Sequence, residues 1–368
     1  MTGRWTREID WVLIGATAVL AAYGLLTLIS ATHGSPDAPA LLRTRVLHVT
    51  VGGGTLVAAT LIDYRRLASA ATVIYVGTLA LLAAVLVVGD ARLGAQRWIT
   101  LGSLGTFQPS ELAKLALIVT LARHLDVTRT LPRMRALFPF FAHVAVPMAL
   151  IIRQPDLGTA LVLLAILAAM LYVGGARVAD LGGLAAIGAV VIPFGWPLLH
   201  DYQRRRLLAF LDPAADPLGA GYALIQSKIA IGSGQIFGKG LFAGTQTLLR
   251  FIPEQHTDFI FTVIGEELGF VGAVALLALY LLWVWRALDI AASAGDRLGA
   301  LMATGLAAMM VFHVVVNIGM TVGLLPVTGI PLPLMSYGGS SLLSTLIGTG
   351  LLLSIRLRRR SGYWSRRV

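Results

Sequence analysis

Apolar residues run in long blocks along the chain, broken at near-regular intervals by short stretches rich in Arg, Pro and Gly. About 20 apolar residues cross a bilayer as a helix. The pattern predicts ten spans, at residues 9–30, 46–62, 68–88, 110–125, 136–152, 157–173, 181–200, 261–285, 298–324 and 340–355. The first block is too long for the 7–15-residue core of a signal peptide, so it reads as an uncleaved span. Between spans seven and eight, residues 201–260 form one long loop. Long loops without regular structure are uncommon in compact proteins and usually functional. No internal repeat and no separate soluble domain is evident. The expected fold class is an all-α polytopic membrane protein, with residues 1–368 forming one integral membrane domain.

Composition agrees. Apolar residues make up 57% of the chain and charged residues 13%, against about 25% charged in soluble domains. The absence of cysteine excludes disulfides and thiolate metal sites. The net charge of +11 invites a nucleic-acid reading, but basic residues in so apolar a chain set membrane orientation instead. With ten spans, 17 Lys and Arg fall on the side of the termini and five (Arg43, Arg45, Arg92, Arg97 and Arg153) on the short loops opposite. That asymmetry predicts both termini in the cytoplasm and the 201–260 loop outside.

Several residues are not explained by crossing a membrane. Glu111 and Lys114 lie three apart on span four, on one helical face, where they can neutralise each other. Arg97 and Trp98 precede that span, where an interfacial anchor is expected. Asp156 opens span six, where a carboxylate suits the helix dipole; capping is its main expected role, and a contact with Arg153 or Lys114 is a second one. The long loop carries Arg204, Arg205 and Arg206, then Lys228, then Lys239 within a glycine-rich run able to present backbone N–H groups to phosphate. No Walker-type sequence is present, so nucleotide hydrolysis has no support. Asp258 is a lone carboxylate at the external mouth of span eight, with Glu266 eight residues on and on about the same face. Capping a helix is its plain role; acting as a base on a lipid-linked sugar pyrophosphate is the sharper one. His256 with Asp258 does not by itself define a metal site. Span nine carries His313 and Asn317 four apart, followed by a proline- and glycine-broken stretch tolerated at membrane depth only inside protein or along a cavity.

Seven ordered blocks, GAQRWI, QPSELAKL, RQPDLGT, QSKIAIGSGQIFGKGLFAGTQ, FIPEQHTDFIF, GEELGF and PVTGIPLPLMSYGGSS, together resemble the SEDS family (shape, elongation, division and sporulation). The QSKIAIGSG and GTQ wording favours its elongation branch over its division branch. The resemblance implies a peptidoglycan glycosyltransferase that polymerises lipid II at the outer face of the bacterial cytoplasmic membrane. A class B penicillin-binding protein and the elongation machinery are the implied partners. It implies Asp258 as the essential loop aspartate and candidate base, and sets Glu111 with Lys114, and Arg97 with Trp98, on family elements. The donor is α-linked and the product β-linked, so single-displacement inversion is expected. The pyrophosphate leaving group needs positive charge, with Arg204 to Arg206, Lys228, Lys239 and Arg97 as candidates. A divalent cation, Mg²⁺ or Mn²⁺, is the other source. A flippase or other transporter of the same precursor is the competing reading, because broken helices and intramembrane charges serve transport as well. A partner helix is expected to dock on small-residue faces of spans eight or nine, with span nine favoured.

Overall fold

The architecture is taken from a computed structural model that describes residues 8–92, 95–100, 102, 106–128, 134–191, 199, 201–219 and 221–359. Part of the seventh expected span (192–198 and 200), the basic tail from residue 360, and Arg4, Arg7, Arg129 and Arg133 lie outside the described residues.

The chain forms a helical bundle. In order, its main helices are α1 (Trp11–Ala31), α2 (Ala38–Leu61), α3 (Ala71–Val88), α4 (Pro109–Thr128), α5 (Phe138–Arg153), α6 (Leu157–Val173) and α7 (Val178–Val191). After them come α8 (Asp201–Leu211), α9 (Tyr222–Ser233), α10 (Ile260–Glu267), α11 (Gly269–Ala292), α12 (Arg297–Thr321) and α13 (Gly339–Leu357). Among the described residues, six helices are long and apolar enough to cross a membrane: α1, α3, α11, α12, α13 and the 134–153 segment that contains α5. α6 is apolar but shorter. α2 and α4 occupy two further expected spans and carry charged residues that lower their hydropathy.

Local chemistry starts these helices where the pattern predicts. Asp10, Asp156 and Asp296 each cap a first turn, accepting from the backbone N–H of Leu13 (3.1 Å), Thr159 (3.1 Å) and Gly299 (2.8 Å). A carboxylate there meets otherwise unpaired N–H groups and the positive end of the dipole. The expected span 261–285 is split at Leu268 into α10 and α11, and two further features were not anticipated. First, α2 begins at Ala38, so Arg45 belongs to the helix and is fully buried rather than lying in a loop. A hydropathy pattern ends a span at an arginine because it cannot see buried carbonyls that satisfy one. Second, a small antiparallel sheet, β1 (Asp90–Arg92), β2 (Ala95–Thr100) and β3 (Thr106–Phe107), joins α3 to α4. Trp98 pairs with Asp90, and Ile99 with Phe107.

Helix α12 is the axis of the bundle and packs on α4, α6, α11 and α13. Gly305 permits close approach, since a Cβ there would press on Met170 and Ile118. Ala303 and Ala307, expected on a partner-docking face, are instead buried in this core. A small-residue stripe marks tight helix packing without saying which helix is packed. By contrast, α11 turns Phe270, Val271, Val274, Leu277 and Leu281 outward.

Ion pairs sort the helix ends. Asp10 meets Arg286 at 2.6 Å and Arg356 at 3.3 Å. Arg65 meets Asp296 at 2.8 Å, and Arg358 meets Asp63 at 3.6 Å. Residues near the start of α1 and the end of α13 therefore share one end of the bundle. The opposite end holds a cavity.

Candidate active site

The cavity has a volume of about 680 Å³. Its polar lining draws together six residues singled out in the sequence: Arg97, Trp98, Glu111, Asp156, Arg206 and Asp258. Apolar Leu157, Leu161 and Leu207 line another part. Leu161 keeps 44% of its surface exposed.

Asp258 sits in the turn before α10, and its backbone is held from three sides. Asn317 of α12 donates its amide to the Asp258 carbonyl at 2.9 Å and to the Ile330 carbonyl at 2.8 Å. The Ser336 hydroxyl donates to the Thr257 carbonyl at 2.6 Å. The Tyr337 N–H donates to the His256 carbonyl at 2.8 Å. The broken segment 326–338 is thus a cradle for the Asp258 turn. Arg45 underpins it: its guanidinium donates to the carbonyls of Ser336 (2.8 Å) and Leu334. Tyr280 braces the same segment through the Pro333 carbonyl at 2.5 Å. These bonds satisfy irregular backbone that would otherwise be costly away from water.

The Asp258 carboxylate keeps some surface on the cavity, yet it lies deep below the protein envelope. Burial pushes its pKa up from 3.8 to about 6, against the downward pull of Arg206 and then Arg97. Gly329 stands between base and cation. Its φ is +74°, and a Cβ there would lie 3.4 Å from both Asp258 Oδ2 and Arg206 Nη1. His256 lines the same cavity and is held below its usual pKa by burial.

Asp156 does more than cap α6. It accepts from Thr159 Oγ1 at 2.9 Å and Gln108 Nε2 at 3.1 Å, and pairs with Arg97 at 3.6 Å. Its charge partner is therefore Arg97, not Arg153 or Lys114. Arg97 also stacks over Trp98, 4.4 Å from the ring centroid. Glu111 and Lys114 form the anticipated buried pair at 2.7 Å. Each has a further partner: the Ser344 hydroxyl donates to Glu111 at 2.8 Å, and Lys114 Nζ lies 2.9 Å from His313 Nε2. With His313 Nδ1 2.8 Å from the Met309 carbonyl, Nδ1 carries the proton and Nε2 accepts from Lys114.

The other candidates lie away from the cavity lining. Lys239 pairs with Glu266 at 2.8 Å. Glu266 also accepts from the backbone N–H groups of Gln246 (2.9 Å) and Thr247 (3.1 Å), so it organises the glycine-rich loop. Arg204 pairs with Asp201 at 3.7 Å, and Arg205 and Lys228 are exposed. Among the described residues, no three of His, Cys, Asp and Glu converge as a metal site. Asp156 and Glu111 are each already paired with a protein cation.

Residues 10–361 match the family model for cell cycle proteins of the FtsW, RodA and SpoVE type. This chain belongs to that family. The peptidoglycan glycosyltransferase MrdB of Escherichia coli K12 is 41% identical over 354 residues, covering 96% of this chain and 95% of that protein. The peptidoglycan glycosyltransferase RodA of Treponema pallidum is 35% identical, over 97% and 99%. Among solved structures, a chain of a peptidoglycan synthase complex, described in terms of structural coordination of polymerization and crosslinking, superposes with a TM-score of 0.81. It is 40% identical, over 95% of this chain and 98% of that one. The Thermus thermophilus rod shape determining protein RodA gives a TM-score of 0.72 at 35% identity, over 96% and 98%.

Several supports are not among the residues that the sequence singles out, among them Arg45, Gln108, Tyr280 and Ser336. Gln108 and Ser336 lie inside the quoted QPSELAKL and MSYGG blocks, which was the available signal. Arg45 had none beyond being an arginine next to an apolar block.

Proposed function

We propose that this protein is a peptidoglycan glycosyltransferase that polymerises lipid II with Asp258 as general base. The observation that carries the proposal is the Asp258 carboxylate, raised toward neutrality by burial and facing Arg206 and Arg97 across one cavity. The 4-hydroxyl of the acceptor sugar gives its proton to an Asp258 oxygen as its own oxygen bonds to the donor's anomeric carbon. The bond from that carbon to the undecaprenyl pyrophosphate oxygen breaks, with inversion. A general base contributes about 10²–10⁴-fold. Pyrophosphate leaves without an acid, and the charge that develops on it is met by Arg206 and Arg97, fixed in advance. Leu157, Leu161 and Leu207 suit the first units of the polyprenyl chain.

The setting is a bacterial cytoplasmic membrane, with the cavity outside and both termini inside. Charge asymmetry supports this, as does the meeting of Asp10 with Arg356 at the end away from the cavity. Family resemblance supports a class B penicillin-binding protein as partner, supplying crosslinking, and the elongation machinery around it.

Purified protein in detergent with lipid II tests the reading, because detergent removes any requirement for flipping. Polymer is expected from the wild type, and a loss of about 10²–10⁴-fold from Asp258→Ala with folded yield retained. Wild-type polymerisation by Asp258→Ala overturns the role of the base. Absence of polymer with retained transport of the precursor in vesicles favours the flippase.

A further inference from the structure

Between α9 and α10, residues 234–251 turn apolar side chains outward. Ile236, Phe237 and Leu249 are 59%, 80% and 62% exposed, and Leu241, Phe242 and Leu248 are exposed beside them. Apolar patches this concentrated mark an interaction surface rather than a water-facing loop. The charged side chains do not oppose that reading. Lys239 folds back onto Glu266 at 2.8 Å, and Arg250 lies at the edge of the stretch, where a cation meets lipid phosphate.

The backbone is prepared for an apolar setting. Gly238 N–H donates to Gly234 O at 2.7 Å, Lys239 N–H to Glu266 O at 3.0 Å and Gly240 N–H to Glu267 O at 2.9 Å. Gln246 and Thr247 N–H groups end on the Glu266 carboxylate. Irregular backbone survives at membrane depth only when such groups are satisfied within the protein.

Position gives the occupant. The first N–H groups of α11, on Phe270 and Val271, donate to Gln235 O (2.9 Å) and Ile236 O (3.0 Å). The patch is therefore continuous with the outward face of α11, which runs through Phe270, Val271, Val274 and Leu277 to Trp285. Trp285 beside Arg286 is a typical interfacial anchor. A hydrocarbon layer of about 30 Å needs about 20 helical residues, and counting back from Trp285 reaches about residue 265. Residues 238–240 are hydrogen-bonded at that level.

We propose that residues 234–251 form a membrane-immersed cap, seated in the acyl–headgroup boundary of the leaflet at the Asp258 end, with lipid as its partner. The cap fixes the depth of the Asp258 turn, placing it in the headgroup layer where the pyrophosphate of a lipid-anchored substrate lies. That consequence rests on the proposed activity; the immersion does not, and its test reads no turnover.

The chain contains no cysteine, so single-cysteine variants need no background removed. Phe237→Cys and Leu249→Cys, carrying a nitroxide, are reconstituted in phosphatidylethanolamine–phosphatidylglycerol vesicles. Collisions with oxygen, which prefers lipid, are compared with those of a water-soluble nickel chelate. Val274→Cys on α11 is the lipid-facing reference. Leu218→Cys, 89% exposed earlier in the same loop, is the aqueous reference. Both test sites are expected to shift their oxygen-to-chelate ratio to the Val274 side. Ratios like that of Leu218 overturn the proposal. So does protection that appears only when a partner protein is added, which would make the patch a protein-docking face.

Discussion

Burial and two arginines act on Asp258 in opposite senses, and the balance sets a testable pH profile. Burial raises the pKa to about 6, while Arg206 and Arg97 restrain the rise. Only the deprotonated carboxylate accepts a proton. Polymerisation should therefore be lost as pH falls through about 6, with kcat/KM dropping about tenfold per pH unit below it. Removing a restraining cation, as in Arg206→Gln, should move this acid limb to higher pH, in addition to any loss in substrate affinity. A wild-type limb at the ordinary aspartate value near 3.8, or a limb that stays put in Arg206→Gln, would show that another group titrates. At this scale the sequence was informative about chemistry and less so about position. Asp258, Arg97, Trp98 and Asp156, from three motif blocks, line one cavity together with Arg206, which lies outside every block. Lys239 and Glu266 lie in equally distinctive blocks yet serve the loop, because a motif does not say whether a charge will find its partner in substrate or in the same chain.

Among the elements, α4 and the segment between α12 and α13 each allow a quantitative test. Glu111 and Lys114 are nearly inaccessible, so either single change leaves an uncompensated buried charge, at a cost of about 3–5 kcal/mol. Glu111→Gln with Lys114→Met should cost less than the sum, with a coupling of about 0.5–3 kcal/mol in melting experiments. The Lys114–His313 contact keeps the coupling from being complete. Strict additivity would mean that the pair does not interact. Arg45 makes a second case. Arg45→Met strips the donors from the buried Leu334 and Ser336 carbonyls, at about 1–3 kcal/mol for each group left unsatisfied. Melting temperature and kcat should fall together, because the same segment holds the backbone of residues 256–258. Arg45→Lys should recover part of the stability and less of the rate, since one ammonium cannot reproduce a planar fork. Arg45→Met with wild-type melting and turnover would remove Arg45 from the support of the site. The helices themselves were legible because length and apolarity are local properties. The burial of Arg45 was not, because it depends on carbonyls remote in sequence; the sheet that carries Arg97 was not either, because its strands are short pairings inside a loop.

For the whole molecule, the charge count and the folded ends bear on the same question of topology. The count assigned Arg45 to a loop, whereas it lies inside α2; removing it leaves the asymmetry in place, since it belonged to the sparsely charged side. The ion pairs add geometry: Asp10, Asp63, Asp289, Asp296, Arg286, Arg356 and Arg358 gather at one end, and the cavity opens at the other. If positive residues are retained on the cytoplasmic side, that charged end faces the cytoplasm and Asp258 faces outward. Two exposed positions separate the alternatives. Ser293 lies between α11 and α12 at the charged end, and Leu218 lies in the loop at the cavity end. In intact spheroplasts, a membrane-impermeant maleimide should label Leu218→Cys and leave Ser293→Cys unmodified until the membrane is opened. The reverse pattern would place Asp258 in the cytoplasm, on the wrong side for assembling an external wall. Labelling of both in intact cells would mean that the intervening helices do not cross an odd number of times, and the ten-span count would have to be redrawn around α10 and α11.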